Sequence, residues 1–168
     1  KIESVVLNNI GIIYIHLFDY TKALEYFEKS LEIDRNLGDS RGEGYTLLNI
    51  GNIYDDLSDY LKALYYFEQS LEIFKEFDDH KAESIALMNI GNIYDDLSEY
   101  PKAMGYYDRA LAKLDYLLEL DKISIWLNMG SNYAEQGNYI KAEELFRRAL
   151  EISIDLKIGD LTQVCYQN

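Results

Sequence analysis

Apolar residues recur along the chain at three- and four-residue steps, in stretches of helical length separated by short polar breaks. Leu47, Ile50, Gly51 and Tyr54 share one face of a helix. Leu57-Ser58-Asp59 interrupts the pattern, and Asp59 is placed to cap a second helix. That second helix carries Ala63, Leu64, Phe67, Ser70, Leu71 and Ile73, again at helical spacing. Phe77-Asp78-Asp79 then closes the pair and turns the chain into another helix. The small residues Gly51 and Ala63 are expected at one close crossing of the two helices.

The same grammar returns along the chain. NIGNIYDDLSDY, from Asn49 to Tyr60, recurs as NIGNIYDDLSEY from Asn89 to Tyr100, with looser copies starting at Asn9 and Asn128. Gly11, Gly51, Gly91 and Gly130 mark periods of 40, 40 and 39 residues. A repeat of that length, in which each unit buries a face against the next, predicts a solenoid of antiparallel helix pairs. The expected units run over about 4–39, 44–79, 84–120 and 123–158, with a partial fifth at 160–168, as one array over 1–168. Gly38 suits a helix C-terminus, and Pro101 suits the first turn of a helix.

Composition narrows the chemistry. The 168 residues are 48% hydrophobic with one proline, enough for a folded core and without a low-complexity linker. A net charge of -14 disfavours nucleic acid and anionic membranes, which need Lys and Arg. No apolar run approaches the ~20 residues of a membrane helix. The single cysteine, Cys165, can form neither an intrachain disulfide nor a thiol metal cluster, which fits a reducing, cytoplasmic setting and leaves a cysteine-poor secreted segment open. Most of the 16 tyrosines recur at fixed repeat positions and read as packing residues with a polar tip. Asn168 falls where a fifth repeat would place its asparagine, so the stretch reads as part of a longer array, able to self-associate through that end.

Trp126-x2-Met129-Gly130-x2-Tyr133, followed by Ala142, Phe146 and Ala149, resembles the tetratricopeptide repeat signature. The other units repeat it with Leu7, Leu47 and Leu87 in place of Trp, and Ser30 and Ser70 in place of Ala. The resemblance implies an all-α, right-handed superhelical solenoid acting as a protein-binding scaffold. The long period with Asn-x-Gly-Asn is similar to cell-polarity scaffolds and to helical repeats of bacterial signalling proteins. In that family the first helix of each pair lines a concave groove.

On this reading the groove-facing candidates are Tyr45, Leu48, Asn52, Asp55 and Asp56 in the second unit. The third unit supplies Ile85, Met88, Asn92, Asp95 and Asp96, and the fourth supplies Leu127 and Ser131. Asn52 and Asn92 can donate to and accept from an extended peptide backbone, the bland alternative being a solvated or helix-facing amide. Asn49, Asn89 and Asn128 are expected to bond the backbone of the adjoining helix. Asp55, Asp56, Asp95 and Asp96 sit at helix C-termini, where the macrodipole disfavours negative charge. They read as an acidic wall for a basic or amphipathic peptide, or as solvated ends balanced by Lys62 and Lys102; a hard-metal site lacks Ca²⁺-loop spacing.

His16 and His80 are the only histidines, both read as surface residues, and no catalytic, phosphate-binding or cofactor motif is present. The leading expectation is a non-enzymatic peptide-binding module without cofactor or metal. A sensory segment of a signalling protein and a structural spacer are the alternatives.

Overall fold

The computed structural model describes residues 1–113 and 117–156. The expected partial fifth unit at 160–168, with Leu161 and Cys165, lies outside them. Among the described residues the chain is all-helical: α1 (Ile2–His16), α2 (Tyr20–Leu37), α3 (Ser40–Asp56), α4 (Tyr60–Glu76), α5 (His80–Asp96), α6 (Tyr100–Leu111), α7 (Glu119–Glu135) and α8 (Tyr139–Asp155).

Six of the turns share one backbone pattern. After α3, the Ser58 amide donates to the Asp55 carbonyl and the Asp59 amide to the Tyr54 carbonyl, closing the helix end. Asp59 then accepts from the Lys62 amide and starts α4. Phe18-Asp19, Ser98-Glu99 and Gly137-Asn138 repeat the backbone pattern, as do Gly38-Asp39 and Asp78-Asp79 between pairs. The first residue of each doublet has positive φ, from 50° at Asp78 to 76° at Gly137. Only glycine adopts that conformation cheaply, so Ser58→Gly (φ 57°) is expected to stabilise the chain by about 0.5 kcal/mol in urea unfolding. A lower unfolding midpoint would contradict this account of the turn.

The chain divides into two compact units, 1–89 and 90–168, with the boundary inside α5. In the first unit α1 packs on α2, α2 on α3 and α3 on α4. Ala23, Phe27, Leu31, Leu47, Ile50 and Ile53 form its buried cluster. In the second unit α6 packs on α7 and α7 on α8, with Ile90, Ile93, Tyr107, Ile123, Ile125 and Met129 buried.

The repeat glycines are seats for aromatic rings. A Cβ on Gly51 would lie 2.5 Å from the Phe67 ring, and Gly11, Gly91 and Gly130 meet Phe27, Tyr107 and Phe146 in the same way. The atoms nearest the Gly51 seat belong to Phe67, one helical turn beyond Ala63. Ala63, expected at the same crossing, is fully buried.

Beside the first three seats, Tyr14 stacks on Tyr26, Tyr54 on Tyr66 and Tyr94 on Tyr106, with centroids 5.4 Å apart in each case. Lys22, Lys62 and Lys102 lie over the first ring of each pair and also reach Asp19, Asp59 and Glu99. The same lysine thus ties the turn to the helix packing, through both its charge and a cation–π contact.

Candidate functional site

The first helix of each pair presents side-chain amides to the first helix of the next, and hydrogen bonding decides which of them remain available. In the first unit Asn89 Nδ2 donates to Asn52 Oδ1 at 2.9 Å, and Asn49 Nδ2 donates to Asn8 Oδ1 at 2.9 Å. In the second unit Asn128 Nδ2 donates to Asn92 Oδ1 at 2.7 Å. The flank asparagines Asn49, Asn89 and Asn128 do join neighbouring helices, but through side-chain amides rather than the backbone expected for them. Each flank amide meets a side-chain oxygen of the neighbouring first helix, which stands further from its helix axis than the backbone carbonyls do.

The ladder uses the carbonyl oxygens of Asn52 and Asn92 and leaves their Nδ2 donors without a protein partner among the described residues. Both residues are partly exposed. Asn92 Oδ1 also accepts from the Tyr107 phenol at 2.9 Å, a link from α6 absent from the sequence reading. Burial, with Asp95 and Asp96 nearby, raises the Tyr107 pKa far above the usual phenol range, so it serves as a donor.

Acidic groups gather beside these amides. In the second unit Asn132 Nδ2 donates to Asp95 Oδ1 at 2.6 Å, and Gln136 in turn donates to Asn132 Oδ1. Partial burial raises the Asp95 pKa, Asp96 and Glu135 raise it further, and the Asn132 bond only partly opposes them. A raised folded-state pKa means that ionising Asp95 costs folding energy, so its contribution falls as pH rises through the ordinary carboxylate value. Asp95→Asn is accordingly expected to raise the melting temperature at pH 7 and to leave it nearly unchanged at pH 3. An equal shift at both values would contradict the electrostatic cause.

In the first unit Asp55 is partly buried, while Asp56 is exposed and lies near the Tyr20 phenol. The Tyr20 pKa is raised first by burial and then by Asp56.

Other candidates fall differently. Leu48 is only 6% exposed, so it belongs to the packed interior and cannot seat a ligand side chain. The face assigned to it from helical spacing is covered by neighbouring helices. Ile85, Met88, Leu127 and Ser131 are partly exposed, and Asp96 is exposed. Tyr45 is 41% exposed, but its phenol donates to Asp79 Oδ2 at 3.0 Å and its ring lies 5.0 Å from Phe74. Arg41 joins the same carboxylate, while Asp79 Oδ1 accepts the Ala82 amide at the start of α5. Burial alone would raise the Asp79 pKa, but the Ala82 amide, Arg41 and Tyr45 hold it below the carboxylate range. His80, expected in solvent, is partly covered and faces Glu83 Oε2 at 3.4 Å.

Among the described residues no group of three or more His, Cys, Asp or Glu is placed to hold a metal ion. Among them, too, no helix is long and apolar enough to cross a membrane.

Helix pairs of this length, with a glycine seat and an aromatic insert in each, match the family model described as tetratricopeptide repeat over residues 3–76, 46–114 and 123–155. The chain belongs to the tetratricopeptide repeat family. Tetratricopeptide repeats are generally protein-interaction modules that commonly bind protein partners, and the fold is typically non-catalytic. No curated protein sequence matches this tetratricopeptide chain.

Among solved structures, BtubC from P. vanneervenii is similar at 23% identity with a TM-score of 0.80, over 92% of this chain. The apo form of RapI is similar at 23% identity with a TM-score of 0.87, over 97% of this chain. A signal-transduction ATPase with numerous domains from Pyrococcus horikoshii, with a tetratricopeptide repeat sensor, is 20% identical with a TM-score of 0.84 over 96%. The match spans 64%, 60% and 25% of those three chains, and at such identities the likeness concerns the fold.

Proposed function

We propose that this tetratricopeptide array binds a peptide segment on the exposed faces of its first helices, favouring basic or amphipathic sequences. The observation that carries the reading is the one-sided use of Asn52 and Asn92. Each carbonyl oxygen is consumed by the next repeat, and each Nδ2 remains to meet an acceptor such as a peptide carbonyl. Exposed Asp56 and Asp96, and Asp95 with its raised pKa, favour a cation alongside. An exposed ion pair contributes only about 0.2–1 kcal/mol, so charge acts mainly on partner choice and association rate.

Arrayed 15-residue peptides of basic, neutral and acidic composition test the proposal. Basic peptides are expected to bind best, with weaker binding by Asp56→Asn and Asp95→Asn variants. Preference for acidic peptides, or basic binding indifferent to both variants, would overturn it.

A second reading is a sensory segment of a larger signalling protein. It is supported by the likeness to the Pyrococcus horikoshii protein, whose tetratricopeptide repeats are described as its sensor. A ligand-dependent change in an effector domain joined to this array in the full-length gene product would favour that reading.

A further inference from the structure

We propose that a cavity between α1, α2 and α3 binds a primary ammonium group, with Asp34 as its counter-ion. The proposal goes beyond the peptide-binding face and does not rest on it. The cavity has a volume of about 180 Å³, and Ser4, Asn8, Ser30, Asp34, Gly42 and Thr46 are among its lining. Asp34 is 2% exposed, and its buried Oδ1 has no hydrogen-bond partner among the described residues. A buried carboxylate oxygen left unpaired is costly, and a ligand that pairs it recovers that cost on binding.

Comparison one period along the chain shows how unusual this lining is. The second pair has Leu48, Phe74, Ala82 and Ala86 where the first has Asn8, Asp34, Gly42 and Thr46. Phe74 is fully buried, its ring edge 3.0 Å from where a Cβ on Gly44 would lie, so a hydrocarbon ring fills that interface. In the first pair four positions have together become polar or smaller, and a carboxylate replaces the ring. Concerted change at one interface is a stronger sign of a built site than a single buried charge.

Hydrogen-bond direction fixes the ligand class. Ser4 Oγ donates to the Lys1 carbonyl, Ser30 Oγ to the Ser4 carbonyl and Thr46 Oγ1 to the Gly42 carbonyl. Asn8 Nδ2 is spent on Thr46 Oγ1 at 2.7 Å, and its Oδ1 on Asn49. The hydroxyl hydrogens are therefore committed to backbone, one Asn8 N–H is used on Thr46, and the Asp34 carboxylate is left as the buried acceptor without a partner. Asp39, at the same cavity, is already balanced by Lys1 at 2.8 Å and by the Gly42 amide. A ligand must donate and be positive. An ammonium group, with three donors on one small centre, meets both needs; a divalent ion would call for more carboxylates than Asp34 alone supplies.

The ammonium can come from a peptide lysine or a free alkylamine, and the test separates them. Isotope-labelled protein would be titrated with n-butylammonium, with a single-lysine peptide, with its norleucine counterpart and with K⁺. The Gly42 backbone amide and the Asn8 side-chain amide would be followed by NMR. Saturable shifts are expected with the two ammonium probes and not with norleucine or K⁺. Asp34→Asn should weaken them about tenfold or more, and Asp34→Phe, copying the second pair, should abolish them while keeping the fold. Saturation at lower concentration by the lysine peptide assigns a peptide side chain, whereas equal saturation assigns a free amine. No saturable shift, equal binding by Asp34→Asn, or the same response to K⁺ would overturn the proposal. The Asn52 and Asn92 amides should stay still under n-butylammonium, so failure here is distinguishable from failure of the peptide-binding face.

Discussion

Gly51→Ala is expected to lower stability by about 1–3 kcal/mol, the cost of overpacking a filled interior. The sign is informative, because alanine inside a helix normally stabilises by roughly 0.5–1 kcal/mol relative to glycine. Here the new methyl would sit 2.5 Å from both Cδ1 and Cε1 of Phe67, a ring with no exposed surface. The ring cannot swing aside without displacing the core of its helix pair. Gly105 is the internal control, since a Cβ there meets nothing within 4 Å. Gly105→Ala should therefore stabilise, and the two variants should move the urea midpoint in opposite directions. A Phe67→Leu background should remove most of the Gly51→Ala penalty, because the two residues share one space. Equal, stabilising shifts for both glycines would show that the ring does not depend on its seat.

Asn92→Leu is expected to cost about 2–5 kcal/mol, since it strands two donors at roughly 1–3 kcal/mol each. Asn92 Oδ1 accepts both the Tyr107 phenol and Asn128 Nδ2. Tyr107 is completely buried and cannot turn to solvent, whereas Asn128 is partly exposed and loses less. Adding Tyr107→Phe removes the buried orphan hydroxyl and should recover part of the loss. Chemical denaturation of the single and double variants measures this. A double variant no more stable than Asn92→Leu alone would contradict the role given to the phenol.

These two results probe features of different legibility. The helices, their pairing and their caps were readable because a period of 40 residues prints the same turn residues several times. Asp59 and Gly38 act as their types suggest, and Pro101 lies in the first turn of α6. Which residue fills the space above Gly51 was not readable. Ala63 and Phe67 lie on the same stripe and both are buried, and only the relative height of two packed helices brings the ring directly over the glycine.

Leu48 fails as a ligand seat for a related reason. Helical spacing tells which residues share a side, but the width of the buried arc depends on how many neighbours cover the helix. The asparagine ladder likewise depends on register between successive first helices, so the sequence offers the amides without saying which atom is spent. Asp34 had a visible signal, a carboxylate where the next repeat has Phe74, and only burial gives that departure its meaning.

Titration of the side-chain amides of Asn52 and Asn92 with a tightly bound basic peptide tests the central claim most directly. If their Nδ2 groups meet peptide carbonyls, the attached protons should shift downfield saturably, while Asn89 and Asn128, already donating within the ladder, move little. Saturable peptide binding that leaves the Asn52 and Asn92 amide resonances in place would contradict the account.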